Sequence, residues 1–274
     1  MYILAHHIRG ADADSQPALL DRYTDVAQGL MPAFPAANPA ARPDPGHDFS
    51  LSDAKAALQS LAVIPDPWFI LSGTFLGAVR EGTFLAHDYD VDIGIMAEDF
   101  DEADFLATLQ GAPDLEYVNQ SPALTLAWQD GRWACTPTPA LYRVLHVSGI
   151  GIDVFIHHRD GDLRWHGSAR HRWDNSEFAV ADCTIAGLPV RGPADADKYL
   201  TENYGGWRVP VTEFNCSTGT PNVSFPYNPS AVAEMLRTAL TMPGAASAET
   251  ARLVLVKEGY VQGDRFTLPW RDRP

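Results

Sequence analysis

The run Asp90-Val91-Asp92-Ile93-Gly94-Ile95-Met96 places two carboxylates in alternation with apolar residues, and this limits what the chain around it can become. In a strand successive side chains point to opposite faces, so Asp90 and Asp92 project from one face while Val91, Ile93 and Ile95 enter a core from the other. Strand interiors are depleted in Asp, and neighbouring carboxylates repel unless a cation or a proton lies between them. A divalent ion is the simplest resolution. Oxygen-rich sites suit Mg²⁺ or Mn²⁺, which keep several waters and take further ligands from substrate phosphates.

A lone carboxylate, Asp153, interrupts the apolar run Gly151-Ile152-Asp153-Val154-Phe155-Ile156. If the two strands are neighbours, three carboxylates converge. Ser72-Gly73-Thr74 follows the strand-like Trp68-Phe69-Ile70-Leu71 and reads as a small-residue turn whose amides can approach a phosphate. Arg80 lies between this turn and the acidic strand, able to hold a phosphate or to brace Asp88 or Asp90. Singly, each residue has a plainer reading. Asp88 and Asp90 fit a solvated turn, Asp153 a capping role, and Arg80 a structural salt bridge. The combination favours a metal and phosphate site.

The 274 residues carry 35 acidic against 20 basic side chains, a formal charge of -15. Such a field repels nucleic acid and anionic lipid surfaces. A small anionic substrate stays compatible, because a bound divalent cation inverts the local field. No stretch is apolar enough to span a bilayer, and Met1 to His7 lacks a secretory pattern, so a cytoplasmic protein is expected. Cys135, Cys183 and Cys216 form no Cys-x-x-Cys pair and read as ordinary reduced thiols.

Apolar spacing predicts helices over 15–31, from Ser50 or Ser52 through Leu61, around Phe75–Arg80, over Ala103–Leu109, 193–204, 230–241 and 247–258. It predicts strands at 68–71, 91–96, 115–119, 124–129, 142–147 and 151–156. This alternation implies an α+β fold, a mixed sheet flanked by helices with additional N- and C-terminal helical segments. The expected divisions are 1–50, an N-terminal helix and Pro/Ala-rich connector; 51–212, the catalytic domain; and 213–274, a loop and helical extension packed on the same domain.

Leu71-Ser72-Gly73-Thr74-Phe75-Leu76-Gly77-Ala78-Val79-Arg80 followed by His87-Asp88-Tyr89-Asp90-Val91-Asp92-Ile93-Gly94-Ile95 resembles the LicD and fukutin-related proteins. The similarity continues through Ile152-Asp153-Val154-Phe155, Ser176-Glu177-Phe178, Pro193 to Tyr199-Leu200, and Tyr204-Gly205-Gly206-Trp207-Arg208-Val209-Pro210. It implies a nucleotidyltransferase-like fold and transfer of phosphocholine, ribitol phosphate, glycerol phosphate or a similar phosphoalcohol from a CDP-linked donor to a glycan or glycolipid acceptor.

By the same resemblance Asp90, Asp92 and Asp153 form the metal-binding and catalytic set, and Gly73 and Thr74 the donor-phosphate turn. Arg80 becomes a phosphate or supporting contact, and Asp153 a candidate acceptor for the hydroxyl proton. Many relatives have Pro-Trp where this chain has Ala86-His87, and no cysteine cluster matches the zinc site of some fukutin-related members. His87 and Asp88 become candidate substrate contacts. Tyr204 and Trp207 are candidates for an aromatic wall, with core packing as the alternative. His157 and His158 are ambiguous in the same way. Two other functions fit the same motifs: nucleotidyl transfer from an NTP with pyrophosphate release, or a catalytically silent scaffold.

Overall fold

A computed structural model of the protein describes residues 1–12, 14–35, 50–86, 88–129, 132–169, 171–210, 220–224, 229–241 and 246–269. Two helices open the chain, α1 (Tyr2–Gly10) and α2 (Gln16–Leu30). After residue 50 come α3 (Leu51–Ser60), β1 (Phe69–Ile70), α4 (Ser72–Arg80), β2 (Asp90–Met96) and α5 (Glu102–Gly111). Ser50 caps α3 by accepting from the Asp53 amide, and Asp101 caps α5 by accepting from Ala103 and Asp104, so both helices begin where a side-chain oxygen satisfies otherwise unpaired donors.

A long antiparallel ribbon follows, β3 (Leu115–Gln129) and β4 (Arg132–His146), then β5 (Gly151–Asp160), β6 (Leu163–Gly167) and β7 (Arg172–Ser176). The hairpin β8 (Val180–Ile185) and β9 (Leu188–Pro193) leads into α6 (Ala196–Tyr204). The chain then runs through β10 (Val223–Ser224), α7 (Pro229–Thr241), α8 (Ala246–Lys257), β11 (Val261–Gln262) and β12 (Arg265–Phe266). The α+β class is as the sequence implies.

β2 lies parallel to β5 and antiparallel to β1, and β5 is flanked on its other side by β4, antiparallel. Beyond this region the end of β5 pairs instead with β6, which continues to β7 and β10. The mixed sheet is therefore eight-stranded among the described residues. One face carries Val91, Ile93, Ile152, Val154, Tyr142 and Val144 into the main core with Phe105 and Leu58, which leaves the opposite face for the carboxylates.

Several predicted boundaries are corrected. The separate strands at 115–119 and 124–129 are one strand, with register shifts between Tyr117 and Asn119 and between Ser121 and Ala123. The second shift falls at Pro122, which has no amide to give the ladder and suits a bulge. β4 begins ten residues before the predicted strand, at Arg132, despite Pro137 and Pro139. Those prolines lie outside the part of β4 that also pairs with β5, where loss of an amide is tolerated. Ser72-Gly73-Thr74 is not a free turn but the first turn of α4. Pro193 ends β9 instead of joining the helix predicted from 193.

The N- and C-terminal segments share a second core. Ala5, Ile8, Leu20, Tyr23 and Ala27 pack with Val232, Leu236, Leu255, Tyr260 and Phe266. The Tyr23 hydroxyl donates to the Pro229 carbonyl at 2.6 Å, and the Gln28 amide clasps Asp264 and Phe266 at 2.8 and 2.7 Å. Among the described residues no helix is long and apolar enough to cross a membrane.

Candidate active site

The parallel pairing of β2 with β5 sets Asp92 opposite Asp153 and Asp90 opposite Gly151. Because paired residues point to the same face, three carboxylates are brought together. Oxygens of Asp90, Asp92 and Asp153 all lie within 4.8 Å of one another.

The second wall is the start of α4. Since β1 runs antiparallel to β2 and ends at Ile70, the chain turns into the helix beside the acidic end of β2. The Leu71 amide donates to the Asp92 carbonyl at 3.2 Å, and the Asp92 amide donates to the buried Thr74 hydroxyl at 2.9 Å. These bonds lock the helix terminus to the strand. Thr74 thus contributes position, its side chain wholly buried. The Gly73 amide donates to the Asp92 carboxylate, and the helix start adds favourable potential for anions. A Cβ on Gly73 would stand 2.8 Å from an Asp88 carboxylate oxygen, so glycine is what lets Asp88 approach.

Burial raises the Asp90 carboxyl to about 8, with the charges of Asp88 and Asp153 adding to it. Asp92 is held well above the usual carboxylate range by burial and then by Asp90. Asp153 is raised by burial while Arg143 pulls against it. Close acidic groups with this much mutual repulsion need a proton or a cation. The all-oxygen donor set and the small separation fit a hard divalent ion such as Mg²⁺ or Mn²⁺.

Other sequence candidates are distributed differently. Arg80 pairs with Glu81 at 2.9 Å and donates to the Trp207 carbonyl at 3.3 Å, so its guanidinium braces the chain end of α4 and not Asp88 or Asp90. Trp207 belongs to the main core, donates to Asp197 at 3.3 Å and stacks under Arg208 at 4.4 Å. Tyr204 packs against the same core, partly buried. His157 is buried and stacked on His166 at 4.5 Å, and His158 is stacked on Trp165 at 4.7 Å. His87 lies outside the described residues, as does Cys216.

Two residues near the carboxylates escaped the sequence reading. Arg143 stands opposite Asp153 on β4, its Nε 3.4 Å from a carboxylate oxygen. Tyr199 on α6 is buried within reach of the Asp92 field, which together with burial raises its phenol. Arg143 sits at an even spacing from Leu141 and Leu145, and a pairing prediction for β4 and β5 is the signal that finds it. Tyr199 falls in the stretch from Pro193 to Leu200 that resembles the family, but helical spacing alone gives it no role.

Residues 66–191 match the family described as LicD/FKTN/FKRP, nucleotidyltransferase domain. The chain is also similar to the ribitol-5-phosphate transferase FKTN of Mus musculus, 23% identical over 174 residues, and to that of Homo sapiens, 23% identical over 178. Each match takes in 61% of this chain but only 35% of the relative. The chain spans about a third of the length of the curated relatives it matches. Asp90, Asp92, Asp153 and the start of α4 all fall inside the stretch, residues 66–191, that is similar to the LicD/FKTN/FKRP nucleotidyltransferase domain.

Proposed function

We propose that the protein transfers a phosphoalcohol, such as phosphocholine, ribitol phosphate or glycerol phosphate, from a CDP-linked donor to a hydroxyl of a glycan or glycolipid, releasing CMP. The observation that carries this reading is the convergence of Asp90, Asp92 and Asp153 within 4.8 Å beside the first turn of α4, within a domain of a family whose named relatives are ribitol-5-phosphate transferases. The catalytic unit is assigned to residues 51–212.

Asp90, Asp92 and Asp153 would hold Mg²⁺ or Mn²⁺, which when bound orients phosphate oxygens and offsets their charge as the leaving group departs. The chain's own groups supply the rest. The start of α4 offers a positive terminus to the donor phosphates. Thr74 and Gly73 keep Asp92 in place through the bonds described above. The acceptor oxygen forms its bond to the donor phosphorus, the bond to CMP breaks, and Asp153 takes the hydroxyl proton.

The test is CMP release when purified protein is incubated with Mn²⁺, CDP-choline, CDP-ribitol or CDP-glycerol and candidate glycans. Asp92→Asn is expected to lower the rate by at least about a hundredfold, the scale of losing a preorganised catalytic group. Absence of CMP release above an Asp90→Ala/Asp92→Ala control across the panel would sink the proposal, and pyrophosphate release from an NTP would replace it with nucleotidyl transfer.

A further inference from the structure

We propose that Arg143 is the residue that grips the donor's diphosphate. This deepens the function proposed above and rests on it. The pairing registers put Asp92, Asp153, Arg143 and Asn119 in one row across β2, β5, β4 and β3. Directly paired residues share a face, so the guanidinium stands on the carboxylate side of the sheet, next to Asp153 and one strand further from Asp92.

Arg143 is half exposed, with 51% of its side chain open, against 21% for Asp153. It therefore lies at the rim of the site, where a ligand enters. Its contact with Asp153 is made through Nε at 3.4 Å, and among the described residues the terminal nitrogens have no hydrogen bond. A guanidinium fork with free donors beside an acidic site matches phosphate oxygens, which it binds bidentately. Its charge also acts on both Asp90 and Asp153.

Two other arginines of the catalytic half, Arg80 and Arg164, are engaged elsewhere. Arg80 is tied to Glu81 and Trp207, and Arg164 is clamped between Glu98 and Glu177. The row geometry leaves Arg143 facing the place where a diphosphate held against Asp90, Asp92 and Asp153 extends along the sheet. Its pairing with Asp153 keeps the fork in position when no donor is present.

The experiment measures Mn²⁺ binding first, and then binding of CDP and of inorganic pyrophosphate to Mn²⁺-loaded protein, by titration calorimetry for the wild type, Arg143→Gln and Arg143→Lys. Arg143→Gln is expected to keep Mn²⁺ affinity within about threefold and to bind CDP and pyrophosphate about tenfold to a hundredfold more weakly, the scale of a lost charge-assisted contact. Arg143→Lys, which keeps the charge and loses the fork, falls between them. Unchanged CDP and pyrophosphate affinity in Arg143→Gln, with Mn²⁺ still bound, overturns the assignment and leaves the metal site standing. Loss of Mn²⁺ along with CDP also overturns it, because Arg143 then serves only to shape Asp153. A wild type that binds no Mn²⁺, or binds it without CDP or pyrophosphate, removes the reading of the site itself.

Discussion

Asp90 and Asp92 oppose folding at the place where the proposed metal site needs them. Their carboxyls are raised by burial and mutual repulsion, Asp90 to about 8. A group whose folded value lies above its unfolded value contributes stability that is full below the unfolded value and disappears as the pH rises through the folded one. With metal removed by EDTA, the protein is expected to lose thermal stability steadily from about pH 4 to about pH 8, the interval between the ordinary carboxylate range and the Asp90 value. Saturating Mn²⁺, held by the ionised carboxylates as proposed, is expected to reverse that trend. Asp90→Asn should flatten the EDTA curve. A melting temperature that stays level across this range in EDTA would show that the carboxylates are not repelling one another. Close to this pair, Gly94 answers a different demand, since a Cβ there would fall 2.5 Å from the Phe69 ring and 2.8 Å from His157. The aromatic cover of the sheet rests directly on β2.

Strands and their connections hold this arrangement by a few anchored side chains. Arg164 on β6 is buried, and both of its terminal nitrogens reach Glu98 in the segment after β2 at 2.9 Å while one also reaches Glu177 at 2.9 Å. Two parts of the sheet that are far apart in sequence are joined through one guanidinium. Removing Glu98 leaves a buried cation with one carboxylate instead of two, and the loss of a partner to a buried charged group costs about 1–3 kcal/mol. Glu98→Ala is therefore expected to lower the unfolding free energy by about 2 kcal/mol in urea titration, and an unchanged midpoint would show the clamp to be dispensable. The hairpin of β8 and β9 turns on Ala186 and Gly187, both at positive φ, 50° and 80°, the geometry that a two-residue loop between right-twisting strands demands. Asn222, the asparagine of an Asn-Val-Ser sequence, donates to Asn203 and Asn175 at 3.0 and 3.4 Å, tying β10 to α6 and β7.

At the level of the molecule two cores divide the labour. The main core surrounds the carboxylate sheet, and the second is built by α1 and α2 with α7, α8 and the chain after them. Leu236 lies wholly buried in the second core, away from the aspartates. Leu236→Ala should cost about 2–5 kcal/mol of stability, the range for removing a buried leucine side chain, while leaving Mn²⁺ affinity of the folded protein unchanged. A parallel loss of Mn²⁺ affinity, measured well below the melting temperature, would show that the two cores act as one. The formal charge of -15 disfavours polyanionic partners over most of the surface, and Arg143 beside Asp153 supplies a positive group at the edge of the carboxylates.

Local pattern was sufficient for the acidic strand and for most of the helices that carry an apolar stripe, and it narrowed the cap of α3 to Ser50 or Ser52, of which the structure selects Ser50. Each follows from the alternation or capping chemistry of adjacent residues. The strands β6 to β9 escaped notice because their short, polar or charged runs, such as Arg172-Trp173-Asp174-Asn175-Ser176, acquire strand character only by pairing. α1 escaped for a related reason, since Ala5 and Ile8 become a buried face only against α7. Sequence could name Asp90, Asp92 and Asp153 as candidates for one site, but it could not order the strands. That order depends on hydrogen bonds between segments some sixty residues apart. It is the packing of β2 beside β5, with β4 on the far side, that brings the third carboxylate within reach of the first two and sets Arg143 at their edge.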